Sequence, residues 1–116
     1  MKAAEADPGD LAEIDRFCDT LWLEDGLARA SLDSYRSDLL QLTIWLAEQQ
    51  LGSLCNADEA ILTRFIAMLS QTLRASSQAR YLSTLRRFYR YQVAQGRRTS
   101  DPTLKIAMPV QSSRLP

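Results

Sequence analysis

The sequence predicts an all-α fold, and three observations predict it. Glycine and proline number only four each in 116 residues, whereas Leu, Ala, Gln, Arg and Glu, all good helix formers, are abundant. Apolar residues return at intervals of three and four rather than alternating. Capping residues stand before four such stretches, with Gly26, Gly52 and Gly96 following three of them.

The first helix is expected over about residues 11–24. Pro8-Gly9-Asp10 breaks the chain and offers Asp10 as a cap, with Glu13 three residues on as in a capping box. Leu11, Ile14, Phe17, Cys18, Leu21 and Trp22 then form an apolar face, while Glu13, Asp15 and Asp19 make the other side acidic. Ser31 caps a second helix over about 32–50, with Leu32, Tyr35, Leu39, Leu42 and Leu46 in one stripe and Leu40 and Ile44 nearly opposite. Gly52 ends it.

Asn56 or Asp58 opens a third helix over about 58–73. Ile61, Leu62, Phe65, Ile66, Met68 and Leu69 cover most of its circumference, which predicts the most buried helix of the fold. Ser76 and Ser77 open a fourth that runs to Gly96 with a core face of Tyr81, Leu82, Leu85, Phe88 or Tyr89, and Val93. Trp22 and Trp45 read as core anchors, and Tyr81, Tyr89 and Tyr91 as core or rim aromatics. The length favours one domain. It divides into a disordered tail at residues 1–10, a helical domain at 11–100, and an extended connector at 101–116 with room for one short turn near Leu104 to Met108. More protein is expected beyond such a connector.

The formal net charge of zero conceals a polarity. Residues 1–60 carry 4 basic and 13 acidic side chains, and residues 61–116 carry 10 basic and 1 acidic. The second half is therefore a candidate surface for a polyanion, unless the two halves simply attract each other within one fold. No apolar run approaches the length of a membrane span and the first residues lack signal-peptide character, so a soluble cytoplasmic protein without membrane partners is expected. Cys18 and Cys55 are too few for a disulfide framework and read as buried thiols. With no histidine, no ligand cluster and no glycine-rich phosphate loop, no catalytic residue, metal, cofactor or small-molecule ligand is expected. If the chain belongs to an enzyme, the chemistry lies elsewhere.

Function is sought on the fourth helix. Arg80, Ser83, Thr84 and Arg87 fall at i, i+3, i+4 and i+7, away from Leu82, Leu85 and Val93. Guanidinium groups donate paired hydrogen bonds to phosphates and guanine edges, and hydroxyls take phosphate oxygens. Ser76 and Ser77 add a helix start, whose N–H groups and dipole favour an anion, although plain capping is the simpler role for each. On the second helix Ser31, Ser34 and Ser37 line one edge, and two such helices could clamp a duplex. A solvated basic face is the competing reading; against it, the fourth helix contains no Asp or Glu to pair its arginines. A helical protein-interaction module docking through Leu40 and Ile44 is the alternative function.

Three stretches, "IDRFCDTLWLEDGLARASLDSYRSDLLQLTIWL", "SSQARYLSTLRRFYRYQVAQGRRTSDPTLKIAMP" and the closing "RLP", resemble the N-terminal core-binding domain of XerD-type tyrosine recombinases, in the phage-integrase family. The specific parts are Leu32-x-x-Tyr35-x-x-Asp38-Leu39, Ser77-x-x-Arg80-x-Leu82-Ser83-x-Leu85-Arg86-x-Phe88-Tyr89, and Asp101-Pro102. The resemblance implies a SAM-like orthogonal domain of four or five helices, forming half of a clamp on double-stranded DNA. It also implies sister or paralogous recombinase subunits in a tetrameric synapse, chromosome dimer resolution or mobile-element integration as the biology, and a catalytic tyrosine in a separate domain. By this match Ser31, Ser34, Ser37, Ser77, Arg80, Thr84 and Arg87 are contact candidates, with Arg80 the base reader. Ser37 replaces a basic residue frequent in relatives and Asp33 adds a negative charge, so the second helix is expected to contribute less.

Overall fold

In the computed structural model, which describes residues 5–107, the regular elements are helices and no strand occurs among the described residues. Residues 1–4 of the expected tail, and residues 108–116 of the expected connector with the Met108 end of its turn, lie outside the described residues. One domain was expected from length; the contacts fall into two compact units, Met1–Ala57 and Asp58–Pro116.

In the first unit, α1 spans Pro8–Thr20 and starts earlier than predicted. The cap is Asp7, whose Oδ2 accepts from the Asp10 N–H at 3.1 Å, and Pro8 takes the first helical position, where its missing N–H costs nothing. Asp10 is thereby released from capping and is buried. Its Oδ2 accepts from the Thr43 hydroxyl at 2.5 Å and its Oδ1 from the Leu54 N–H at 3.0 Å. Glu13 is buried too, paired with Arg16 rather than completing a capping box.

Ile14, Phe17, Cys18 and Leu21 form the buried face of α1. One π-helical turn, Leu21–Asp25, follows and closes on Gly26 at φ 64°. A π-turn carries more residues per revolution, so side chains within it fall out of the α-helical phase of α1. Trp22, expected in the core, is 51% exposed, and Leu11 is exposed as well. Trp45 is buried as expected.

Helix α2, Arg29–Gln49, starts at Ala28 without a side-chain cap. Ser31 is therefore inside the first turn rather than in front of it. Leu39, Leu42 and Leu46 are fully buried, Leu40 and Ile44 only half-buried. The helix stops at Gln50 in the left-handed region at φ 56°, with the Gln50 and Leu51 N–H groups returning to the Ala47 and Leu46 carbonyls at 3.2 and 2.9 Å. This is a Schellman ending, two residues before the glycine expected to provide the stop. A 3₁₀ turn, Leu54–Asn56, completes the unit. Cys18 is buried, and burial pushes its thiol pKa up; Cys55 is only half-buried.

In the second unit, Asp58 caps α3, Glu59–Leu69, accepting from the Ile61 N–H at 2.9 Å. Three turns bury a single stripe of Leu62, Phe65 and Leu69, while Ile61, Ile66 and Met68 are half-buried. The most extensive buried face belongs instead to α4, Ala75–Ala94: Tyr81, Leu82, Thr84, Leu85, Phe88, Tyr89 and Gln92. Twenty residues make α4 about 30 Å long. It ends in a second Schellman motif, here on Gly96 at φ 74°, with the Arg97 N–H on the Gln92 carbonyl at 3.0 Å.

The start of the expected connector is folded. Asp101 Oδ1 accepts from both the N–H and the hydroxyl of Thr103, at 2.8 and 2.6 Å, and Pro102, Thr103 and Ile106 are buried. Arg86 of α4 donates to the Ile106 carbonyl and ties the segment to the helix. No described helix is long and apolar enough to cross a membrane.

Candidate nucleic-acid interface

At 100° per residue, the buried arc of α4 centres between Leu85 and Phe88, and the opposite arc runs Ser76, Arg80, Ser83, Arg87, Arg90. Four of these are exposed and Arg87 is half-buried. Thr84 does not join them. Its side chain is 1% exposed, because position 84 turns onto the flank shared with Tyr81 and Phe88. A hydroxyl so placed cannot reach a ligand at the surface, and Thr84 leaves the set of contact candidates.

Arg90 is the residue the sequence reading missed. The spacing that linked Arg80, Ser83 and Arg87 continues to it one turn further on, and it is exposed. Arg86, one position from Arg87, is excluded by its bond to Ile106.

The helix start is less open than two serines suggest. Arg74 holds the cap position without a side-chain bond, and the Ser77 and Gln78 N–H groups both reach the Arg74 carbonyl at 3.1 Å. Ser76 is exposed and Ser77 half-buried. Neither caps the helix, so the Ser76 hydroxyl is not consumed in that role.

In the other unit, Ser31 and Ser37 on α2 are exposed and Ser34 is half-buried. A spacing of three turns each serine about 60° from the last, so they wind around an edge rather than forming a stripe. The nearby cation Arg36 is committed to Asp15 of α1, whose hydrogen bond pushes its pKa still higher. Asp33 is exposed. This edge is polar but not basic, in contrast to α4.

The profile of the family described as "Phage integrase, N-terminal SAM-like domain" matches residues 14–96. The chain belongs to that family. As a SAM-like integrase domain it is 44% identical over 103 residues to "Tyrosine recombinase XerD" of Pseudomonas aeruginosa, which covers 89% of this chain and 35% of that protein. It is 38% identical over 103 residues to the protein of the same name from Proteus mirabilis, covering 89% and 33%, and 39% identical over 108 residues to that of Pasteurella multocida, covering 92% and 36%. The SAM-like domain thus spans about a third of the length of these curated relatives and is of the XerD type. No solved structure matches it.

Proposed function

We propose that this domain grips duplex DNA for a site-specific tyrosine recombinase, laying α4 against the major groove while strand cutting and rejoining belong to protein outside the chain. The observation that carries the reading is the exposed arc of Ser76, Arg80, Ser83, Arg87 and Arg90 on a helix whose opposite face is buried. A helix with its side chains is about 10–12 Å across and matches the roughly 12 Å width of the groove. In this reading Arg80 addresses a guanine edge, Arg87 and Arg90 address phosphates, and Ser76, Ser77 and Ser83 take phosphate oxygens. Ser31, Ser34 and Ser37 add neutral hydroxyl contacts from α2. The name the relatives carry, tyrosine recombinase, supports a recombinase as the wider setting; that it is cytoplasmic, acts on chromosomal sites and works with sister or paralogous subunits in a tetrameric synapse is part of the same proposal.

Titration of the chain onto labelled duplexes at several salt concentrations tests this. Non-specific affinity should lie at a Kd of about 10⁻⁴ to 10⁻⁶ M at physiological salt and weaken steeply as salt rises. Arg80→Ala should relax sequence preference at a cost of about 1–3 kcal/mol, whereas Arg87→Ala or Arg90→Ala should weaken all sequences alike and lower the salt slope by about 1. Binding untouched by all three substitutions refutes the face.

A further inference from the structure

Building on the DNA-binding reading, we propose that Tyr81 is a positioning residue for Arg80: its ring holds the guanidinium in place before DNA arrives. The guanidinium carbon of Arg80 lies 4.9 Å from the centre of the Tyr81 ring, inside the range of about 6 Å over which a cation is drawn to an aromatic face. That ring is itself held. Tyr81 is 9% exposed and meets Phe65 of α3 edge-on, with centroids 6.0 Å apart and planes at 72°. Phe65 is in turn 1% exposed. A buried phenyl thus braces the tyrosine ring, the face of the tyrosine carries the guanidinium, and Arg80 stands exposed on the arc that would meet DNA.

An arginine that grips a base edge gives up rotamer freedom on binding. One already laid on a ring has given up part of it in the free protein, so less is lost when the ligand arrives. A fixed ring also constrains the plane of the guanidinium, and with it the direction in which the paired N–H groups point. Tyr89 and Arg98 make a similar pair at 5.0 Å, yet there the arginine is half-buried and its Nε donates to the Ser100 carbonyl at 2.8 Å. That pair closes the end of the unit; the Tyr81 pair is the one aimed outward.

The test is a double-mutant cycle on the full 116-residue chain, titrated onto a randomised duplex pool and onto the duplex selected from that pool. Tyr81→Leu should weaken binding to the selected duplex by about three- to tenfold, and should change nothing further when Arg80→Ala is already present. Tyr81→Phe, which keeps the ring, should restore binding to within about twofold. Equal losses from Tyr81→Leu with and without Arg80 would reduce the tyrosine to a structural role and overturn the proposal. In the free protein, the Arg80 Nε–H proton should be shifted upfield by the ring; an unshifted proton in the unsubstituted chain overturns the stacking even if the leucine variant fails to fold. Absence of binding to any duplex by the unsubstituted chain, with that upfield shift present, would instead refute the DNA reading and with it the task assigned to the pair.

Discussion

Replacing Asp10 tests the polar centre of the first unit. Its carboxylate is 2% exposed and accepts from the Thr43 hydroxyl and the Leu54 N–H, linking α1 to α2 and to the 3₁₀ turn. Asp10→Ala removes the carboxylate that two buried donors bond, each lost bond costing about 1–3 kcal/mol, while recovering the cost of burying the carboxylate itself. A net loss of about 2–4 kcal/mol is expected. At about 4 °C per kcal/mol or more for a domain of this size, Tm should fall by at least about 8 °C. Asp10→Asn keeps an oxygen for Leu54, lets the Thr43 hydroxyl turn to accept, and removes the charge, so it should stay within about 1 kcal/mol of the parent near neutral pH. Burial, more than the neighbouring Asp7 and Glu13, holds the Asp10 pKa above its ordinary value in spite of the two hydrogen bonds. The folded state therefore binds this proton more tightly than the unfolded state does. The contribution of Asp10 is fully present below the ordinary carboxylate pKa and is lost as pH rises through the raised one. Thermal unfolding followed by circular dichroism across that acidic range should show this loss in the parent and not in the asparagine variant. An alanine variant as stable as the parent, or an asparagine variant as damaged as the alanine one, refutes the argument.

Two further substitutions probe the ends of helices. Gln50→Gly should stabilise the chain by about 0.5–1 kcal/mol, the left-handed strain relieved exceeding the entropy glycine costs; a lower denaturation midpoint would count against the Schellman ending of α2. Arg86→Ala should release the segment from Asp101 to Ile106, raising hydrogen exchange at the Thr103 and Ile106 amides while α4 itself keeps its protection. Uniform protection in parent and variant would mean that the arginine does not anchor the segment.

Much of this fold was legible because burial repeats: Leu39, Leu42 and Leu46 announce α2, and Leu82, Leu85 and Phe88 announce α4, without reference to anything distant. What escaped depended on choices between near-equal local options. Asp7 and Asp10 both carry a carboxylate able to cap, and the Thr43 hydroxyl and Leu54 N–H, far along the chain, claim Asp10 for the interior. The π-turn has no pattern of its own in LWLED, so Trp22 was assigned to the core. Asp101-Pro102 resembles a break, but the Asp101 carboxylate turns the chain back and Pro102 is buried. At the candidate interface the arginine stripe was readable from its spacing. Choosing Arg90 over Thr84 required knowing that the buried arc is centred between Leu85 and Phe88, which puts position 84 on its flank.

Both tryptophans belong to the first unit: Trp45 buried on α2 and Trp22 exposed on the π-turn. Indole emission therefore watches one half of the molecule from two depths. A soluble quencher should dim Trp22 at once and reach Trp45 only as that half opens, while melting confined to Asp58 and beyond would leave the blue-shifted emission of Trp45 unchanged. The chain thus comes with its own optical label for asking whether its two halves unfold in one transition or in two.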